Sequence, residues 1–120
     1  MRKALIVDDS AYNRVLLSSL LSKKNLQVEL SDNGEDAVKK FAEGKPDVVF
    51  LDYIMPKKNG VEALAEMKKM NPDFIAIMLT SISAVEDVEK AKEAGASGYI
   101  LKPYTAEKIF DILKKFNLIE

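Results

Sequence analysis

The chain of 120 residues has no cysteine and no histidine. Without cysteine there are no disulfides and no thiolate metal sites, and the redox compartment is unconstrained. Without histidine there is no imidazole base, no imidazole metal ligand and no phosphohistidine on this chain. A basic excess is missing too: 18 Lys and Arg stand against 19 Asp and Glu, a net charge of -1. General nucleic-acid binders carry a basic surplus, so that class is disfavoured. Long apolar runs are absent. After Met1-Arg2-Lys3, only Ala4 to Val7 are apolar before two aspartates, too few for a signal peptide, and no run is long enough to span a membrane. A soluble cytoplasmic protein is the expectation. Hydrophobic residues make up 48% and charged residues 31%, enough apolar side chains for one ordinary core.

The residues present alternate between two patterns. Pro46-Asp47-Val48-Val49-Phe50-Leu51-Asp52 holds four apolar residues without a polar break and ends in a carboxylate. A run that short, bounded by Pro46 and by the turn-prone 55–60, predicts a strand buried on both faces. Lys3 to Val7 reads as the first strand, with Asp9 or Ser10 as a helix N-cap after it. The first helix carries apolar Tyr12, Val15, Leu16, Leu20 and Leu21 at helical spacing, with Leu17 widening the stripe. Residues 26–30 alternate, which suits an edge strand with one wetter face. Asn33-Gly34 announces a second helix with Ala37, Val38, Phe41 and Ala42 inward, ended by Gly44 as the expected C′ residue. Asn59 or Gly60 opens a third helix with Val61, Leu64 and Met67 inward. Phe74 to Leu79 is a second unbroken apolar strand. A fourth helix over about 84–94 is thin in apolar residues and is capped by Gly95. A fifth strand, 97–101, precedes a fifth helix over about 106–116 that buries Ile109, Phe110, Leu113 and Phe116. Five strand-helix alternations predict an α/β fold: one doubly wound, five-stranded parallel sheet with helices on both faces, using the whole chain, 1–120, as one domain.

In such sheets ligands collect at the carboxyl ends of the strands. The first strand ends in Asp8-Asp9, the third in Asp52, the fourth in Thr80-Ser81, the fifth in Lys102-Pro103; the second ends in Ser31-Asp32. If the strands bearing Asp8, Asp9 and Asp52 are neighbours, three carboxylates converge, and three like charges in one place need a cation or another reason. Mg²⁺ takes oxygen ligands and shares them with phosphate oxygens. A carboxylate can accept a phosphoryl group as an aspartyl-phosphate, and a lysine and a hydroxyl can hold the oxygens of the transferring group. Taken singly, each of these residues has a plainer role: Asp8 and Asp9 as helix caps, Lys102 as a solvated lysine, Thr80 as a helix-start cap, Tyr99 as core.

In order along the chain, Ile6-Val7-Asp8-Asp9-Ser10, Leu51-Asp52-Tyr53-Ile54-Met55-Pro56, Asn59-Gly60, Leu79-Thr80-Ser81, Gly95-Ala96 and Lys102-Pro103-Tyr104 resemble the receiver domain of two-component response regulators, of the CheY-like single-domain type. The resemblance covers essentially the whole chain. It implies the strand order 2-1-3-4-5 of CheY-like folds. It makes Asp52 the phosphoacceptor, with Lys102 and Thr80 on the phosphoryl oxygens. It implies Mg²⁺ held by Asp9, Asp52 and the backbone carbonyl of Ile54, with Asp8 acting mainly through metal-bound water. Thr80 and Tyr99 become a switch pair, the output surface lies on the fourth helix, fifth strand and fifth helix, and the Lys102-Pro103 peptide is cis.

Two departures from the family pattern carry expectations. Tyr104 stands where phenylalanine is common. Ile54 and Ile82 stand where relatives often carry polar groups, so an attacking water finds no hydrogen bond there and the aspartyl-phosphate is expected to decay slowly. The resemblance implies a switch that assists its own phosphorylation and dephosphorylation, with no output domain after residue 116. The resemblance also implies a histidine kinase as the phosphodonor. The target is a chemotaxis component such as the flagellar motor switch or, alternatively, a histidine phosphotransfer protein in a relay. A Mg²⁺-dependent phosphohydrolase of the haloacid-dehalogenase type would want a second acid where Ile54 stands. A flavodoxin-type binder would want a Gly- and hydroxyl-rich loop where Asp8-Asp9 stands.

Overall fold

The computed structural model describes residues 2–53, 58–81 and 85–119, the last with backbone alone at 85–87. Its elements are β1 (Lys3–Val7), α1 (Ala11–Ser22), β2 (Gln27–Ser31), α2 (Gly34–Gly44), β3 (Val48–Asp52), α3 (Gly60–Met70), β4 (Ile75–Thr80), α4 (Val85–Ala94), β5 (Gly98–Leu101) and α5 (Ala106–Lys115). The five strands form one parallel sheet in the order β2-β1-β3-β4-β5. The expected fold and strand order are therefore present.

Alternation along the strands divides the core in two. Ala4, Ile6, Val48, Phe50, Ile77 and Leu79 face one side, where Leu17 and Leu21 of α1 and Ile109 and Leu113 of α5 cover them. Leu5, Val7, Val49, Leu51, Ala76 and Met78 face the other, under Ala37 and Phe41 of α2, Ala63, Leu64 and Met67 of α3 and Ala91 of α4. All five residues of β3 are buried, as its unbroken apolar run requires. Each fully buried Leu, Ile or Phe contributes ~2 kcal/mol through the apolar surface it removes from water. β2 alternates between exposed and half-buried residues, as befits the edge.

Helix starts follow the sequence signals. Ser10, Asn33, Asn59 and Thr105 are N-caps whose side chains accept a backbone N–H three residues on. Asn59 and Glu62 complete a reciprocal capping box.

Three local expectations are corrected. In α1, Leu17 and Leu21 are the buried pair, while Tyr12 is 75%, Val15 67% and Leu16 36% exposed. In α2, Ala42 is exposed, because the helix turns Ala37 and Phe41 to the sheet. Gly44 is the last helical residue of α2, and the left-handed position falls on Lys45 at φ 48°. Gly95 does adopt positive φ, 110°, after α4.

Candidate functional site

The register of the sheet assembles the site. Val7 lies beside Leu51 and Asp52 beside Leu79, so Asp8 and Asp52 emerge side by side from neighbouring strands. Thr80 lies beside Leu101, which brings Lys102 to the same mouth. Backbone bonds hold these ends: Asp8 N–H donates to Ser31 O (3.1 Å), Tyr53 N–H to Leu79 O (3.0 Å) and Lys102 N–H to Thr80 O (2.7 Å).

Asp8, Asp52 and Thr80 are buried, whereas Asp9 is exposed at the rim. One carboxylate oxygen from each of Asp8, Asp9 and Asp52 lies within 4.8 Å of the others. Lys102 Nζ bridges two of them, 2.9 Å from Asp8 Oδ2 and 3.4 Å from Asp52 Oδ2. The other Asp8 oxygen accepts the Ser10 N–H at 2.9 Å. Two of the carboxylates thus share a single ammonium, which leaves the cluster short of positive charge. Burial, and then the Asp8 charge, raise the Asp52 carboxyl from its usual 3.8 to about 6 against the pull of Lys102. Three carboxylate oxygens gathered at one strand end, two of them from buried residues and Asp9 from the exposed rim, fit a hard divalent cation such as Mg²⁺.

Glycine permits the close packing under Asp52. A Cβ on Gly60 would lie 2.2 Å from the Asp52 carbonyl oxygen and 3.0 Å from Met78 Cε. Gly60 N–H meanwhile donates to Tyr53 O at 2.9 Å. The start of α3 is thereby pressed against the backbone that carries Asp52.

The structure therefore brings together Asp8, Asp9, Asp52 and Lys102, with Thr80 ending the next strand. Tyr99 is half-buried and packs against the apolar layer under α2, α3 and α4. Ser31, which ends β2, turns aside: its hydroxyl donates to Asp36 Oδ2 (2.8 Å) and lies 3.0 Å from Asn33 O. The Lys102-Pro103 peptide is cis. Ile54 and Ile82 lie outside the described residues, and with them the carbonyl ligand and the argument about phosphate lifetime.

Arg14 escaped the sequence reading, and Tyr104 entered it only as a departure from phenylalanine. Arg14 Nη1 donates to the Asp8 carbonyl at 2.7 Å and fixes the turn into α1. Its only signal is a cation one helical turn beyond Ser10. Tyr104 packs its ring against the layer under α1 and α5, and its phenol is pushed up to about 12 by burial and by the charges of Asp8 and Asp52. Its hydroxyl is buried and has no hydrogen-bond partner among the described residues.

Comparison with known proteins points the same way as the geometry. The family described as the response regulator receiver domain matches residues 4–114. A chemotaxis protein CheY of Halobacterium salinarum is 38% identical over 112 residues, covering 93% of each chain. The sporulation initiation phosphotransferase F of Bacillus subtilis is 32% identical, over 95% of this chain and 92% of that one. Among solved structures, the CheX-CheY-BeF3-Mg complex from Borrelia burgdorferi superposes with a TM-score of 0.91 at 26% identity, over 96% of this chain and 89% of that one.

Proposed function

The chain belongs to the response regulator receiver family, and on that premise we propose that it is a phosphorylation-controlled switch with Asp52 as phosphoacceptor. The observation that carries this reading is the Lys102 ammonium shared between buried Asp8 and Asp52 in a cluster of three carboxylates. An Asp52 oxygen attacks the phosphorus of a phosphodonor. The donor's bond to phosphorus breaks, and its leaving group keeps the electron pair and takes a proton from solvent. Asp52 is ionised at neutral pH, as a nucleophile must be, yet poorly solvated, so little water has to be stripped from it. Lys102 follows the new negative charge onto a phosphoryl oxygen, and the Thr80 hydroxyl donates to another. Asp8, Asp9 and Asp52 are the side chains that would hold Mg²⁺, which when bound neutralises charge on the phosphoryl oxygens.

With no histidine in the chain, the donor is another molecule, a histidine kinase by family. Output runs through Tyr99 and the surface of α4, β5 and α5. There a groove of about 420 Å³ is lined by Tyr99, Leu101, Ile112 and Lys115, and Leu101 is 43% exposed beside it. Phosphorylation raises the affinity of that surface for a protein partner by population shift. The match to a chemotaxis CheY over 93% of its length supports a regulator in motility signalling, with a motor switch component as the target. A second reading is a relay intermediate that returns its phosphoryl group to a histidine phosphotransfer protein, favoured by the likeness to the sporulation phosphotransferase.

The test is intact mass after treatment with acetyl phosphate, with and without Mg²⁺, for wild type and Asp52→Asn. One phosphoryl group gained by wild type alone, and only with Mg²⁺, is expected. Equal gain by the Asp52→Asn variant would place the acceptor elsewhere. Rapid transfer from the phosphorylated chain to a phosphotransfer protein would favour the relay over the motor.

A further inference from the structure

Gly34 opens α2 just beyond the carboxyl end of β2, at the same end of the sheet as the carboxylates. It is buried and has no positive φ, so its backbone does not call for glycine. Helix propensity favours alanine over glycine. What calls for glycine is space. A Cβ on Gly34 would lie 2.2 Å from the Lys58 carbonyl oxygen and 2.9 Å from both the Lys58 carbonyl carbon and Lys58 Cβ. The Lys58 backbone thus sits where a side chain at position 34 would stand.

Lys58 is held on its other side as well. Its Nζ pairs with Glu66 of α3. The next residue, Asn59, caps that helix through the box with Glu62. One residue further, Gly60 packs against the Asp52 carbonyl oxygen and donates its N–H to Tyr53 O at 2.9 Å. A path of backbone contacts therefore runs from Gly34 through Lys58 and Gly60 to Asp52. A side chain at 34 must part α2 from Lys58. Ala37 and Phe41 anchor α2 in the core, so Lys58 is the partner that gives way. Gly60 is two residues along, and any shift of it is passed to the strand end that carries Asp52.

We propose that Gly34 is a positioning residue for the divalent cation: it seats the Lys58 carbonyl, and that seat, through Gly60, holds Asp52 at the distance from Asp8 and Asp9 that the ion needs. This rests on the reading of those three aspartates as the residues that hold Mg²⁺.

The experiment titrates Mg²⁺ into wild type, Gly34→Ala and Gly44→Ala, followed by the backbone amide resonances of Asp9 and Asp52. Gly34→Ala should bind Mg²⁺ roughly tenfold more weakly, the usual cost of disturbing a group that orients metal ligands. Gly44→Ala, at the other end of the same helix, should match wild type. Acetyl phosphate uptake by Gly34→Ala should be slow at limiting Mg²⁺ and return to the wild-type rate at saturating Mg²⁺. General loss of structure would not be rescued by the ion. In wild type, the Gly34 and Lys58 amide resonances should move with the same Mg²⁺ dependence as that of Asp52. That observation needs no variant and keeps the proposal testable if Gly34→Ala folds poorly. Wild-type affinity in folded Gly34→Ala, uptake that stays slow at saturating Mg²⁺, or Gly34 and Lys58 amides that ignore the ion would each overturn the role of Gly34. If wild type itself binds no Mg²⁺, the reading of the aspartates falls and this proposal falls with it. Binding by wild type with no effect of the substitution removes only the proposal.

Discussion

β3 is bracketed by two aspartates with opposite fates. Asp47, just before it, is exposed; it accepts the Lys3 backbone N–H at 2.8 Å and returns its own N–H to Lys3 O at 2.9 Å. Asp52, five residues on, is buried and shares a lysine with Asp8. The side-chain type is the same and the strand is the same. What differs is the company at each end. The foot of the sheet offers water and a backbone donor, so a carboxylate there closes a turn. The mouth offers two more carboxylates and little water, so a carboxylate there is left undercompensated and ready to accept a group. Position on the strand, more than residue type, separates a structural acid from a chemical one.

Packing at the mouth should be the most sensitive point. In Gly60→Ala the new methyl meets Asp52 carbonyl oxygen at 2.2 Å, and backbone cannot yield as a flexible side chain does. Destabilisation of ~3 kcal/mol is expected, at the upper end for overpacking. Chemical denaturation checks the stability loss. Acetyl phosphate uptake by the folded fraction should also slow, because Asp52 must shift to relieve the clash. Unchanged stability would mean that the two ends of β3 are equally plastic.

The charge contrast gives the next largest effect. Asp52 titrates at about 6 in the folded protein against an ordinary 3.8, roughly two units at ~1.4 kcal/mol each. Its folded pKa is the higher one, so the stability it contributes is fully present below about pH 3.8 and is lost as pH rises through about 6. In chelator, Asp52→Asn should therefore be the more stable protein at pH 7 by about 2 kcal/mol, allowing for the lost pairing with Lys102. The gap should close as pH falls from about 6 to about 4. Urea unfolding of both proteins across that window checks it, and a gap independent of pH would sink the desolvation argument.

How far the sequence reveals these things depends on what fixes each residue. β3 and β4 announce themselves because a central parallel strand is buried on both faces and tolerates no polar break. Asp8, Asp52, Thr80 and Lys102 could be placed because each sits at a strand's carboxyl end, and parallel strands put those ends together. α1 could not be phased. Tyr12, Val15, Leu16, Leu17, Leu20 and Leu21 leave few polar gaps to mark the outer face, so only packing against Ile6 and Phe50 selects Leu17 and Leu21. Lys45 could not be foreseen as left-handed, since Gly44 beside it is the natural candidate; α2 simply runs one residue further. Arg14, and the burial of the Tyr104 hydroxyl, were hidden for a different reason. Both depend on where a long side chain ends, and no periodicity encodes that.

The foot of the sheet should barely respond to the same substitutions. Asp47→Asn keeps an acceptor for the Lys3 N–H and loses only its charge, so a change of ~0.5 kcal/mol or less is expected. Gly44→Ala mirrors Gly60→Ala at this end. Its methyl would come within 3.2 Å of a single atom, Glu29 Oε1, the far end of a flexible side chain. Gly44 is helical without positive φ, so alanine also restricts the unfolded chain and improves helix propensity. Those gains offset the small displacement of Glu29, and the net change should stay within ~0.5 kcal/mol, with phosphoryl uptake unaltered in both variants. Parallel urea titrations and acetyl phosphate mass shifts check the pair. A large loss in Gly44→Ala would show that Lys3 Nζ, 3.3 Å from the Gly44 carbonyl, ties the foot as tightly as Gly60 ties the mouth.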